Sequence, residues 1–275
     1  MELQTLKKAD RPGILGGSAR QRIKNIGKGL TGALVVFAAW QFVFSLNLVN
    51  PMYFPSAWMV LTHCFVLLGE PSFLSQILVT LKSMFLGILI AALIGVPFGL
   101  LFGRFQVAYR MAKLLVETLR PIPAVALAPL AILLFGLSDR ATTSLVVWTS
   151  LWPILINSVY GMHNVDEQQV QTARIFGFNR LETLVRVELP NCAPFIVTGI
   201  RISLSIALAV AISGEMVAGT GNGLGGWILK ASAAGSMTPA YSTVVLSGFI
   251  GYGLNYLLEY AERKLFFWHA SFRKS

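Results

Sequence analysis

The feature that most constrains this chain is a series of apolar stretches, each about as long as a bilayer is thick. Residues 29–49, 83–103, 123–137 with a few residues upstream, 141–162, 193–216 and 240–260 are predominantly apolar. About 20 such residues in a helix cross some 30 Å of hydrocarbon. Inside lipid every backbone N–H and C=O needs an internal partner, so helices are expected. Composition agrees: hydrophobic residues are 55% of the 275 and charged residues 12%, about half the charge of a soluble domain. The expected fold is an all-α membrane protein, a polytopic bundle of about six transmembrane helices. The third span is short and holds Pro121, Pro123 and Pro129. Proline frees carbonyls that neighbouring helices must re-satisfy, so this span is expected inside the bundle.

Lys and Arg set the orientation. Residues 1–28, 104–122, 164–192 and 261–275 hold seven, four, three and four of them, whereas the alternate loops hold only Arg140 and Lys230. Lys82 sits at a boundary and Arg201 within a span. Basic loops stay inside, which predicts a multi-pass inner-membrane protein with both termini cytoplasmic. The organisation expected is a basic segment 1–28, a membrane domain 29–260 with a cytoplasmic loop 164–192, and a basic tail 261–275. The net charge of +10 lies in patches between apolar runs and forms no aromatic-interleaved basic face, so nucleic acid is not an expected partner. The first 28 residues are polar and basic, with no cleavage site behind the apolar stretch that follows, so no cleavable signal is expected. Cys64 and Cys192 fall on opposite sides in this topology, which rules out a disulfide between them.

Several motifs bear on chemistry. Gly87, Ala91, Gly95, Gly99 and Gly103 recur every fourth residue and line one helix face, a seam for close helix contact within the chain or with a second copy. Gly221-Asn-Gly-Leu-Gly-Gly226 matches a dinucleotide fingerprint, but it follows a membrane helix instead of a strand, so an external glycine-rich loop that dips or bends is expected. Gly27-Lys28 continues into Gly29, so no P-loop is present. His63, His163 and His269 are far apart and assigned to different sides, so no metal site is expected. Energy for any pumping must therefore come from a partner.

Polar residues within spans are costly and tend to face the interior of a bundle. Arg201 lies about 11 Å past Pro194 at 1.5 Å per residue, where it can snorkel or face a path. Glu215 lies near the outer end, where it is either wet or functional. With Trp148, Ser205 and Ser213, these residues are candidates for a polar path, and Ser203 shares their helix.

The loop 164–192 is the most informative segment. Asn164 or Asp166 can cap a helix, with Glu167 in its first turn. Val170, Ala173 and Gly177 follow at helical spacing with Phe176 beside them, making a short amphipathic helix. Gly177 is expected to break that helix, and Pro190 to stop a second helical stretch. Gln171-Thr172-Ala173, then three residues, Gly177, nine residues, Val187, one residue and Leu189-Pro190 resembles the signature of binding-protein-dependent ABC importer permeases. That signature opens Glu-Ala-Ala, so Gln171 and Thr172 depart from it. Arg120-Pro-Ile-Pro-Ala-Val-Ala-Leu-Ala-Pro129 with Phe135-Gly136, Thr198-Gly-Ile-Arg-Ile202, Gly214-Glu-Met216 and Trp268-His269 are similar to the sulfonate, taurine, nitrate and bicarbonate group.

The resemblance implies a type I ABC importer permease, not itself an enzyme, working by alternating access in the membrane lipid. It implies a second permease copy as a homodimer, two ATPase subunits that bind ATP and Mg, and a periplasmic or lipid-anchored substrate-binding protein. The substrate it implies is a small organic or inorganic anion. Coupling to the ATPase is then expected from Glu167, Val170, Gln171, Thr172, Ala173, Arg174, Phe176, Gly177, Phe178, Leu189 and Pro190. A secondary transporter driven by an ion gradient is the alternative. It predicts paired midplane acids and inverted repeats, neither of which is legible in this sequence.

Overall fold

A computed structural model describes residues 17–218 and 221–265, with side chains from residue 29 onward except those of residues 30 and 265. The basic residues before 17, Gly219, Thr220, and the tail that holds Trp268 and His269 lie outside the described residues. The described residues are helical with no strand. The chain falls into two compact units, divided after Leu61. In the first, α1 (Gly17–Ser45) is followed by a turn whose Pro55 carbonyl accepts from Trp40 Nε1 at 3.1 Å. The helix α2 (Ala57–Leu68) runs across the division.

The second unit is built on α3 (Pro71–Arg104), α6 (Asp139–His163) and α9 (Leu189–Ala218). Their shared core is Met84, Ile88 and Ala91 from α3, Val146 and Ile154 from α6, and Leu204, Ala207, Leu208 and Ala211 from α9. The glycine stripe makes the α3–α6 seam possible. A Cβ at Gly87, Gly95, Gly99 or Gly103 would meet Val146, Ile154, Ser158 or Met162 respectively, always 59 positions further on, so the two helices run parallel and in register. At Gly99 the added carbon would lie 2.7 Å from the Leu155 carbonyl oxygen. The seam predicted from sequence is therefore internal to the chain.

Among the described residues three helical segments are long and apolar enough to cross a membrane: α3, α6 and the continuous run Arg180–Ala218 that contains α9. A fourth span is made if α4 (Gln106–Leu119) and the segment through α5 (Ala128–Phe135), bent by 82°, count as one. The bend coincides with Pro121 and Pro123. α1 and α11 (Met237–Leu265) are 29 residues each, and the apolar part of α1 is the shorter stretch Thr31–Ser45. The third span does not lie wholly inside the bundle. Ala128 and Ala131 pack on Ala141 and Leu145 of α6, but Leu133 is 80% exposed on the other face.

Three boundaries differ from expectation. α3 begins at Pro71 and not near residue 83, because Pro71 starts the helix at its first turn and because polar Gln76 and Thr80 have buried partners described below. The glycine-rich stretch dips inward and is helix, not loop, from Gly223: Gly223–Gly226 form the buried start of α10 (Gly223–Ala233). Pro190 stops nothing. The helix runs on from α8 (Arg180–Thr183) through a wide π turn at Leu184–Glu188 into α9. There Leu189 N–H donates to the Leu184 carbonyl, five residues back. Widening the turn just before the proline accommodates its ring and its missing N–H.

Candidate functional site: the loop helix and the polar clusters of α9

The helix α7 (Glu167–Ile175) begins where the Asp166 side chain accepts from Gln168 N at 2.9 Å. Glu167 in the first turn and Arg174 in the last match the helix dipole. The helix closes in a Schellman arrangement. Gly177 N–H donates to Arg174 O at 3.0 Å and Phe178 N–H to Ala173 O at 3.1 Å, with Gly177 at φ +82°. Asn179 then caps α8 reciprocally with Glu182, both bonds 2.9 Å. The chain thus turns between two capped helices.

Ala173 is the residue of α7 that is buried. Gln171 and Thr172 are exposed, and Thr172 Oγ1 is returned to the Gln168 carbonyl. At the tip, Ile175 and Phe176 are 84% and 77% exposed. Phe178 is partly covered by the Arg186 guanidinium, 5.4 Å from the ring centre. A groove of about 1030 Å³ lies beside α7, lined by Gln169, Thr172, Ala173, Phe178, Arg186 and Asn191. Asn191 Nδ2 donates to Gln169 Oε1 and to Val187 O, both at 2.9 Å, tying the loop helix to the root of α9. Arg104, the last residue of α3, pairs with the buried Glu188 of the π turn. Leu189 and Pro190 follow that turn directly and are exposed. The coupling residues named from sequence are thus one continuous structure, fixed to α3 and α9.

The residues named for a polar path do not converge. Arg201 is held by α11, donating to Glu259 at 3.1 Å and Glu262 at 3.2 Å. Arg263 also pairs with Glu259, at 2.7 Å. Two arginines against two glutamates leave no net charge, so Arg201 is not a free cation. One turn further, Asn255 Nδ2 donates to Ser205 Oγ at 2.9 Å. Trp148 Nε1 reaches the Ile122 carbonyl at 3.4 Å and its ring stands edge-on to Trp152. Ser213 is half-buried.

Glu215 is not wet: it is 3% exposed. Its Oε2 accepts from Thr80 Oγ1 of α3 and from Gly225 N of α10, both at 2.9 Å. Leu224 N–H donates to Thr80 Oγ1 at 2.8 Å and Gly223 N–H to Gln76 Oε1 at 2.7 Å. Side chains of α3 and α9 therefore cap the first turn of α10, where the Asn222 side chain makes no cap bond. The close approach needs glycine, since a Cβ at Gly225 would lie 2.8 Å from Glu215 Cβ.

Residues 95–266 match the family described as "Binding-protein-dependent transport system inner membrane component". The chain belongs to this family. It is 30% identical over 233 residues to a putative ABC transporter permease of Methanocaldococcus jannaschii, covering 83% of this chain and 87% of that one. A nitrate import permease of Leptolyngbya laminosa is 29% identical over 190 residues, 69% and 68% of the two chains. The taurine transport system permease of Escherichia coli is 25% identical over 240 residues, 86% and 87%. In fold, a chain of the inward-facing methionine ABC transporter superposes with a TM-score of 0.58 at 18% identity, over 79% of this chain and 97% of that one.

This permease is therefore a multi-pass inner-membrane subunit of an ABC importer of the type I fold, a transport component and not an enzyme, that works with ATPase partners. The Arg104–Glu188 pair, the acids that hold Arg201, and the cap on α10 are three features that sequence reasoning missed. Glu188 alone carried a local signal, as an acid set between Val187 and Leu189 of the signature.

Proposed function

We propose that this permease couples to its ATPase through α7 and the turn at Gly177, and passes a small anion of the sulfonate, taurine or nitrate kind. The exposed apolar tip Ile175–Phe176 on a doubly capped turn is the observation that carries the coupling. Apolar anchors exposed on a rigid element are what a docking partner buries. In this reading Glu167, Val170, Gln171, Thr172, Ala173 and Arg174 form the docking helix, and Leu189-Pro190 forms the root that turns with it. ATP and Mg are bound by the partner ATPase, not by this chain.

Two copies of the permease form a homodimer, with the basic loops and both termini in the cytoplasm, as the Lys and Arg count favours. A binding protein delivers the anion from outside. ATP-driven closure at α7 moves the α3–α6–α9 core as a body, because Arg104–Glu188 and Asn191–Gln169 fix the loop to that core. Alternating access then follows from biasing one end of a two-state bundle. The named nitrate and taurine relatives support the substrate class. Arg201 lends it no support, because its charge is balanced within the chain.

The test is uptake into proteoliposomes that hold the permease and ATPase, with the neighbouring binding protein outside. ATP-dependent uptake of labelled sulfonate, taurine or nitrate supports the reading. Uptake driven by an ion gradient without ATP contradicts the coupling, and ATP-dependent uptake of only a neutral solute contradicts the substrate class.

A further inference from the structure

A groove of about 1440 Å³ opens where the ends of α3 and α8 meet the loop helix, apart from the groove beside α7. One wall is a row on α3: Val96, Leu100 and Arg104, spaced at i, i+4 and i+8, with Leu184 from the π turn also lining it. At 1.5 Å per residue the apolar part of that row runs about 12 Å below the arginine. Val96 and Leu100 lie about two turns and one turn before Arg104 on α3, a helix long and apolar enough to cross a membrane.

The rim is basic. Arg104, Arg174 and Arg180 line it, with Glu188 as its acid. Arg104 and Glu188 neutralise one another. Arg174 and Arg180 are exposed and have no ion pair among the described residues. The nearby acid Glu182 is engaged in capping Asn179. The groove is therefore lined by two guanidinium groups without an ion pair together with an apolar wall.

We infer that this groove binds an anionic glycerophospholipid, with the headgroup phosphate on Arg174 and Arg180 and an acyl chain along Val96 and Leu100. Guanidinium forks suit phosphate oxygens, and basic pockets at the ends of membrane helices hold acidic headgroups. An apolar wall on a membrane-crossing helix suits an acyl chain, whereas a free anion has no use for it. A lipid satisfies both halves. Because Arg174 sits on α7, the lipid would tie the loop helix to the membrane. Arg174 also belongs to the docking helix of the proposed coupling, so Arg180, which lies outside α7, is the position at which the two readings can fail separately.

The experiment uses the purified permease–ATPase complex taken from vesicles of phosphatidylethanolamine with either phosphatidylglycerol or phosphatidylcholine. Native mass spectrometry reads the lipid retained. The wild type is expected to retain phosphatidylglycerol over phosphatidylcholine. Each arginine near a charged lipid surface contributes roughly fivefold in affinity, so Arg180→Ala, outside α7, lowers retention about fivefold, and Arg174→Ala added to it about fivefold more. Leu100→Trp, which fills the apolar wall and leaves both arginines, lowers it as well, and inorganic phosphate does not displace the lipid.

Equal retention of the two lipids, or an unchanged double variant, overturns the inference. So does full retention by Leu100→Trp, which makes the ligand a soluble anion. Retention seen only after the ATPase is stripped away also overturns it, because the groove then belongs to the ATPase.

Discussion

Replacing Gly177 isolates backbone conformation from packing. An added Cβ there meets nothing within 4 Å, so sterics contribute nothing and φ of +82° contributes everything. A left-handed conformation costs an L residue about 1–2 kcal/mol, with Asn tolerating it better and β-branched residues worse. The alternative is to open the turn, which gives up the bonds from Gly177 N–H to Arg174 O and from Phe178 N–H to Ala173 O and re-aims Phe176. If the ATPase binds only the closed turn, 1–2 kcal/mol becomes about a 5- to 30-fold weaker ATPase affinity for Gly177→Ala. Gly177→Val should be weaker still and Gly177→Asn nearest to wild type. Titration of the purified permease with its ATPase measures this series. Ala equal to Gly, or Asn as poor as Val, would refute the reasoning.

At the α3–α6 seam, Gly99→Val should cost about 1–3 kcal/mol or more through overpacking against Leu155 and Ser158, read as a lower unfolding temperature in detergent; an unchanged temperature contradicts the parallel register. Glu215→Ala strands the Thr80 hydroxyl and Gly225 N–H in a buried site, at about 3 kcal/mol. Glu215→Gln keeps an acceptor and should be milder, so equal losses would argue against the capping role. Arg201→Ala leaves buried Glu262 without its cation and should destabilise by about 1–3 kcal/mol. Adding Glu262→Gln should recover part of that loss in the same melting assay, and no recovery would mean the pair is not the cause.

Local signals reached as far as contacts within a few turns. The helix–glycine–helix plan of the loop was legible because caps and glycine act over three or four residues, and Asp166, Gly177 and Asn179 sit at those distances. The stripe at Gly87 to Gly103 was legible as a seam, but its partner, 59 positions on, was not. The polar start of α3 was misread as loop because Gln76 and Thr80 look solvated in sequence. Their polarity serves α10, about 145 residues away, where they receive the first N–H groups. Arg201 and Glu262 likewise stand 61 positions apart, and only the packing of α9 on α11 joins them. Proline misled twice, since Pro190 is absorbed by a π turn and the prolines near residue 121 make a bend instead of burying a span.

Docking of the ATPase on the tip of α7 carries the proposed coupling. Its most direct measurement is co-purification of the ATPase with a permease carrying Ile175→Asp and Phe176→Asp. Both side chains are exposed, so the bundle should still fold and reach the membrane. Loss of two apolar anchors should cost at least about 2 kcal/mol of association. The permease should remain in the membrane, with the ATPase and ATP-dependent uptake both lost. A variant that keeps its ATPase and transports at the wild-type rate would contradict it.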